Sequence, residues 1–375
     1  MLKWLLACYF ILSSCSQSPQ PPSFVKTNGT KLELQQKPFY IAGTNQYYLF
    51  YKSKKMVDEV IEDAAALKLN TIRTWGFCNG EWKDGYCFQP EPRVYHEPTF
   101  KKMDYTIYKA SQHGIKLVIP FVNNWDDLGG MMQYVRWSPT AEKRHDAFYT
   151  DPWTKQLYKD YVYFFLNRVN SITGVAYKND PTILMWELTN EMRAESDPSG
   201  KIVQEWTAEM AAFIKGIDSY HLLTTGMEGF GRNGNNDWLN NGSQGTNYIS
   251  NHQIKDIDMA SFHLYPEQWG LNEASANLWV ENSIRIAKEQ IGKPVFCGEF
   301  GTRDKWNRKR IYTDWYATGD KMDGNGMMFW LLSGHQDDGN LYPDYDGYTI
   351  YYPEDTEISS VIYENSLKTA RKNGI

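Results

Sequence analysis

Two glutamates, each at the end of an apolar run, carry the chemistry this chain could perform. Glu191 follows Asn190 after the run 183–188, and Glu299 lies at the end of the run 294–300. A carboxyl pair can cleave a glycosidic bond if one member protonates the leaving oxygen while the other, ionised, attacks the anomeric carbon. Their surroundings must therefore push their pKa values apart. A retaining pair sits ~5 Å apart and an inverting pair further. The Asn-Glu dipeptide alone says little, since Asn272-Glu273 repeats it at a helix-like start. Three other carboxylates compete. Glu187 shares a face with Glu191 by strand alternation but lies two steps deeper, and reads as a buried structural acid. Glu228, beside Gly229 and Gly231, reads as a loop or substrate contact, and Glu267 falls past Pro266.

Supporting groups stand at comparable positions. Arg73 points inward by alternation with Thr71 and Trp75. A buried guanidinium requires an acid, so it either makes a structural ion pair or holds Glu299 ionised. His263 and Tyr265 share one face and are expected to hydrogen-bond around Glu299. Trp330 serves either the core or as a platform beneath a sugar, whose flat C–H face suits an aromatic ring. The seven His have no paired ligand spacing, and the acidic run 336–340 with Asp344 and Asp346 lacks the EF-hand spacing. No metal and no cofactor are therefore expected.

These residues need a scaffold that brings remote strand ends together. Strand-like runs at 39–46, 70–77, 116–123, 182–189, 222–227, 258–265, 294–300 and 326–332 alternate with helical runs at 55–67, 100–113, 154–171, 201–219, 278–291, 305–318 and 358–372. Eight such repeats favour a single (β/α)8 TIM barrel, with chemistry at the C-terminal strand ends. The dinucleotide fingerprint, a P-loop and a G-x-S-x-G elbow are all missing, which disfavours an open doubly wound sheet.

The bulk composition agrees. The chain is 42% hydrophobic and 22% charged, enough apolar content for one large core, and it holds 14 Trp and 26 Tyr. A net charge of −6 without a basic stripe argues against nucleic acid. At the N-terminus, Lys3 and the apolar run 4–12 read as an export signal too short to span a bilayer. Leu12-Ser13-Ser14-Cys15 resembles a bacterial lipobox, which makes 1–15 a lipoprotein signal with Cys15 the lipidated mature N-terminus. Ser16 rather than Asp after it points to the outer membrane or cell surface. Residues 16–23 read as a flexible tether and 24–375 as the barrel, a monomer held to the bacterial envelope only by lipid. Cys78 and Cys87 flank a polar loop and could pair in an oxidising compartment, while Cys297 reads as an inert buried thiol.

Taken together, Asn70-Thr71-Ile72-Arg73-Thr74-Trp75, Asn123-Asn124-Trp125, Trp186-Glu187-Leu188-Thr189-Asn190-Glu191, Phe262-His263-Leu264-Tyr265-Pro266 and Gly298-Glu299-Phe300-Gly301 resemble glycoside hydrolase family five of clan A, and within it the endo-β-mannanases. The resemblance runs from about Phe24 to the C-terminus. It implies retaining hydrolysis of β-1,4-mannan, with Glu191 as acid/base and Glu299 as nucleophile. It further implies that Asn190 binds the 2-hydroxyl, that Arg73, His263 and Tyr265 orient Glu299, and that Trp330 stacks on the sugar before the cut. Arg193 matches an arginine used beyond the cleavage point. Trp75, Trp125 and Trp269 join the substrate-contacting set. Met192 departs from the family's frequent Pro after Asn-Glu. A cellulase-like endoglucanase, an exo-β-mannosidase and a non-catalytic glycan-binding lipoprotein are the alternative readings, the last expected to have lost one of the two glutamates.

Overall fold

The computed structural model describes residues 23–81, 85–232 and 237–375. Eight parallel strands carry the fold: Ile41–Asn45, Thr71–Arg73, Lys116–Pro120, Ile183–Glu187, Leu222–Thr224, Ala260–Leu264, Val295–Phe300 and Gly326–Phe329. Each pairs with its sequence neighbour except across one seam, and the eighth pairs with the first through Gly326 and Ile41. Every strand falls inside an expected run and every expected helix forms, with ends displaced by a few residues because turns and caps override the apolar period. Ser53, for example, accepts from Met56 N and starts the helix Lys54–Ala66 one residue early. Gly114, at φ +67°, terminates Glu97–Gln112.

The seam lies between the fifth and sixth strands, where a backbone bond and several side chains stand in for the missing ladder. Asp258 N donates to Leu223 O at 2.8 Å, and Leu223 N donates to the Asp258 carboxylate at 2.8 Å. His252 fills the gap. Its Nε2 lies 2.8 Å from Thr225 Oγ1 and accepts from Ser261 N at 3.2 Å, while Nδ1 lies 2.8 Å from Tyr248 O. Burial pushes His252 down to about 3, so the ring stays neutral and Nε2 keeps its lone pair.

An element missed in the sequence closes the opposite end. Lys26–Asn28, Lys31–Leu34 and Lys37–Pro38 form an antiparallel sheet, turned at Asn28-Gly29, a dipeptide with strong hairpin preference. Its Leu32 packs with Phe39, Val118, Leu184, Phe296 and Met328 in a separate apolar cluster. That end of the barrel is thereby filled with hydrocarbon, and the polar side chains collect at the C-terminal mouth. Cys78 and Cys87 form a disulfide with Cα atoms 4.5 Å apart, and Cys297 is a buried free thiol.

Candidate active site

The fourth and seventh strands deliver the two glutamates by different backbone devices. Glu191 lies past the fourth strand in a turn held by Asn190 N donating to Val122 O (2.6 Å) and Glu191 N donating to Gly226 O (2.8 Å). Glu191 itself takes φ +58°, rare for a residue with a side chain. Gly226 must be glycine: its φ is +73° and a Cβ there would lie 1.8 Å from Thr189 O. Met192, where the family often has Pro, is buried. On the seventh strand the pairing slips between Cys297 and Glu299, a bulge at Gly298 that re-aims the following carboxylate. A Cβ on Gly298 would sit 3.1 Å from His263 Nε2, so its absence makes room for the imidazole.

Arg73 joins the constellation. Wholly buried, it donates from Nε to Glu187 at 2.7 Å, from Nη1 to Glu299 Oε1 at 2.5 Å and Asn45 Oδ1 at 3.2 Å, and from Nη2 to Asn190 Oδ1 at 2.8 Å. Arg73 thus pairs at once with the buried Glu187 and with the candidate nucleophile Glu299. Burial alone would lower its pKa, but Glu187 and Glu299 raise it and keep the charge in place. Tyr265 OH donates to Glu299 Oε2 at 2.6 Å, so both oxygens of that carboxylate are engaged and its orientation is fixed.

His263 departs from expectation. Its Nδ1 lies 2.7 Å from Glu191 Oε1 and 3.9 Å from Glu299 Oε2, so it serves the acid/base candidate instead of the nucleophile. The Gly298 bulge sets Glu299, in place of Gly298, opposite His263 in the ladder, and the imidazole nevertheless turns to Glu191. Burial raises the Glu191 carboxyl, yet His263, Trp125 Nε1 (2.6 Å from Oε2) and the Arg193 charge outweigh it and hold the group down to about 2. Burial lowers His263, whereas Glu299 and Glu191 raise it above its ordinary value. The proton of this pair thus rests on the imidazole side in the ligand-free site.

A cleft of about 710 Å³ opens above the pair. Trp75, Trp125, Asn190 and Trp330 line it, as expected of substrate contacts. Trp330 Nε1 donates to Asp346 Oδ2 at 2.7 Å, and its ring lies 5.6 Å from Trp75 and 6.1 Å from Tyr47. Tyr47, Tyr345 and Tyr348 also line the cleft and were missed in the sequence. Tyr47 follows the first strand end and could have been found there; the other two come from a loop with no strand to mark it.

Two expected contacts lie outside the cleft lining. Arg193 makes a forked pair with Glu228, Nε–Oε2 at 2.8 Å and Nη2–Oε1 at 2.6 Å, beside the cleft and stacked on Trp125 at 4.8 Å. Glu228 is thereby the arginine's counter-ion instead of a substrate contact. Trp269 is buried against Tyr265, Phe230 and Trp279, outside the cleft lining, because the short helix Pro266–Trp269 turns its ring away and leaves Gln268 in the cleft.

Ligating atoms of Glu191, His263 and Glu299 all lie within 4.8 Å of one another, close enough to surround a cation. The Arg73 guanidinium already occupies Glu299 and opposes a second positive charge there. The same spacing puts a Glu191 oxygen and a Glu299 oxygen within 4.8 Å, the separation for covalent capture of a sugar across one bond.

A family model described as GH family 5 beta-mannosidase-like matches residues 22–318. The chain is 37% identical over 374 residues to mannan endo-1,4-beta-mannosidase 4 of Solanum lycopersicum, covering 93% of this chain and 92% of the relative. It is 40% identical over 305 residues to mannan endo-1,4-beta-mannosidase 3 of Arabidopsis thaliana, covering 76% and 73%. Among solved structures, the endo-1,4-beta-mannanase of Rhizomucor miehei superimposes with a TM-score of 0.85 at 34% identity, covering 93% of this chain and 100% of that one. The endo-beta-1,4-mannanase of Thermotoga petrophila does so at 0.83 and 40% identity, covering 88% and 77%. These matches correct the reading of the N-terminus as a bacterial envelope anchor: the curated relatives matching most of the chain are plant mannanases, not bacterial lipoproteins. Short signal motifs are weak evidence beside such coverage, and Cys15 with the whole of 1–15 lies outside the described residues.

Proposed function

We infer that this chain, which belongs to the β-mannosidase-like group of glycoside hydrolase family 5, hydrolyses internal β-1,4-mannosidic bonds of mannan, with Glu299 as nucleophile and Glu191 as acid/base. The observation that carries the residue assignment is the approach of their carboxylate oxygens to within 4.8 Å at the mouth of the barrel. Glu299 attacks the anomeric carbon and forms a glycosyl ester as the bond to the leaving oxygen breaks. Glu191 passes its proton to that oxygen, then takes one from the water that displaces Glu299. His263 Nδ1, 2.7 Å from Glu191, is the local source of the proton. Arg73 and Tyr265 hold Glu299 in line, and the amide of Asn190, fixed between Arg73 and Asn123, is offered to the 2-hydroxyl. Trp330 lies beneath the sugar before the cut, and Trp125 with Arg193 borders the leaving side.

The apolar run 4–12 and the Cys78–Cys87 disulfide support an exported enzyme, as does a polysaccharide substrate. The mechanism is tested by following fresh hydrolysis of mannohexaose by proton NMR. β-Anomeric product forms first if the pair works by double displacement; α product appearing first overturns it. Release of reducing sugar chiefly from cellulose would overturn the substrate.

A further inference from the structure

A second concavity of about 550 Å³ lies beside the catalytic cleft and shares no lining residue with it. Its floor is Trp279, doubly fixed. The indole Nε1 donates to His263 O at 2.9 Å, and the Arg232 guanidinium lies 3.4 Å over the ring. Arg232 is itself pinned, donating to Gly229 O at 2.7 Å and Ser283 Oγ at 2.5 Å. Its charge thus clamps the indole, while Trp238, 39% exposed, and Leu278, 55% exposed, offer apolar surface to solvent. Asn240 and Asn282 put side-chain amides on the rim.

Flat apolar walls with amides at the edge match a sugar, which has an apolar C–H face and a hydroxyl rim. The lining is close to charge-balanced, with Asp237 and two arginines of which one is buried as a clamp, so a neutral ligand fits better than an anion. The groove wall is packed through the buried Phe230 side chain to the group beside the active site. Arg193 lies 4.8 Å from the Trp125 ring and 5.0 Å from Phe230, and Phe230 lies 5.4 Å from Trp238.

We propose that the groove floored by Trp279 and walled by Trp238 and Leu278 is a second binding site for a neutral β-mannan strand, holding the polymer outside the catalytic cleft. The inference rests on the mannan reading above. It is tested in full-length protein by depletion onto insoluble linear mannan, with Glu299→Ala as the uncleaving background, and by turnover of soluble mannotetraose with Glu299 intact. Trp238→Ala and Leu278→Asp should each weaken retention about tenfold, or ~1.4 kcal/mol. Leu278→Asp should leave mannotetraose turnover unchanged, since Leu278 lines only this groove. Retention unchanged in both variants overturns the site, as does an equal loss of retention and mannotetraose turnover in Leu278→Asp. Failure of the catalytic reading would look different: the unsubstituted enzyme would not cleave mannotetraose at all.

Discussion

The indole Nε1 of Trp125 donates to Glu191 Oε2 at 2.6 Å, while His263 Nδ1 lies 2.7 Å from Oε1 of the same carboxyl. Both oxygens of the candidate acid are therefore engaged before substrate arrives. The group that must give up a proton is held in its ionised form, and Trp125, 40% exposed, is the partner an incoming sugar can reach.

Trp125→Phe keeps an aromatic surface but removes that donor. A carboxylate losing a hydrogen bond to its charged form titrates higher. The Glu191 carboxyl, followed by carbon NMR, should therefore titrate above about 2 in the variant, and an unmoved or lowered titration would show that Trp125 does not hold the acid.

The two carboxylates should fail differently. Glu299→Ala should remove turnover on every mannoside while the thermal transition remains. Glu191→Ala should lose about 10²- to 10⁴-fold on polysaccharide but retain cleavage of aryl mannosides with good leaving groups, with partial rescue by azide. Equal losses on all substrates would count against the acid/base role.

Arg73→Met should be costly to the fold as well as to catalysis. It leaves Glu187 and Glu299 buried without their cation, a loss of about 3–5 kcal/mol read in denaturant unfolding. Arg73→Lys keeps a charge but cannot reach four partners at once, so it should recover part of the stability and little of kcat.

Acid should expose the Glu191 contact. Its folded-state carboxyl, at about 2, lies below the ordinary 4.5, so the ionised group adds stability that is full above about pH 4.5 and lost as pH falls toward 2. The stability advantage of the parent over Glu191→Gln in denaturant, to which the raised His263 also contributes above pH 5, should therefore shrink as pH falls below about 4.5. A gap that widens on acidification below pH 4.5 would reverse the sign and reject the pairing.

Much of the site was legible because strand ends are local features. An apolar run that stops at a carboxylate marks Glu299 without knowledge of its neighbours, and the run before Asn190 does nearly the same for Glu191. Alternation correctly turned Arg73 inward and separated the deeper Glu187 from Glu191. The small Lys26–Pro38 sheet was passed over because its three strands are short and two are mostly exposed, so apolar period gave no signal; Asn28-Gly29 was the cue.

Residue order alone determined the eight-fold strand and helix alternation, the polar mouth and the two candidate acids, since each depends on side chains a few positions apart. Only the tertiary structure decided the partners. His263 went to Glu191 although the bulge at Gly298 sets Glu299 opposite it in the ladder, and Trp269 left the cleft because a four-residue helix packs its ring against Tyr265, Phe230 and Trp279. Glu228 became the counter-ion of Arg193, and Arg73 came to hold four groups at once. Each of these is a distance between segments far apart in the chain, set by barrel closure and strand register, which no local pattern encodes.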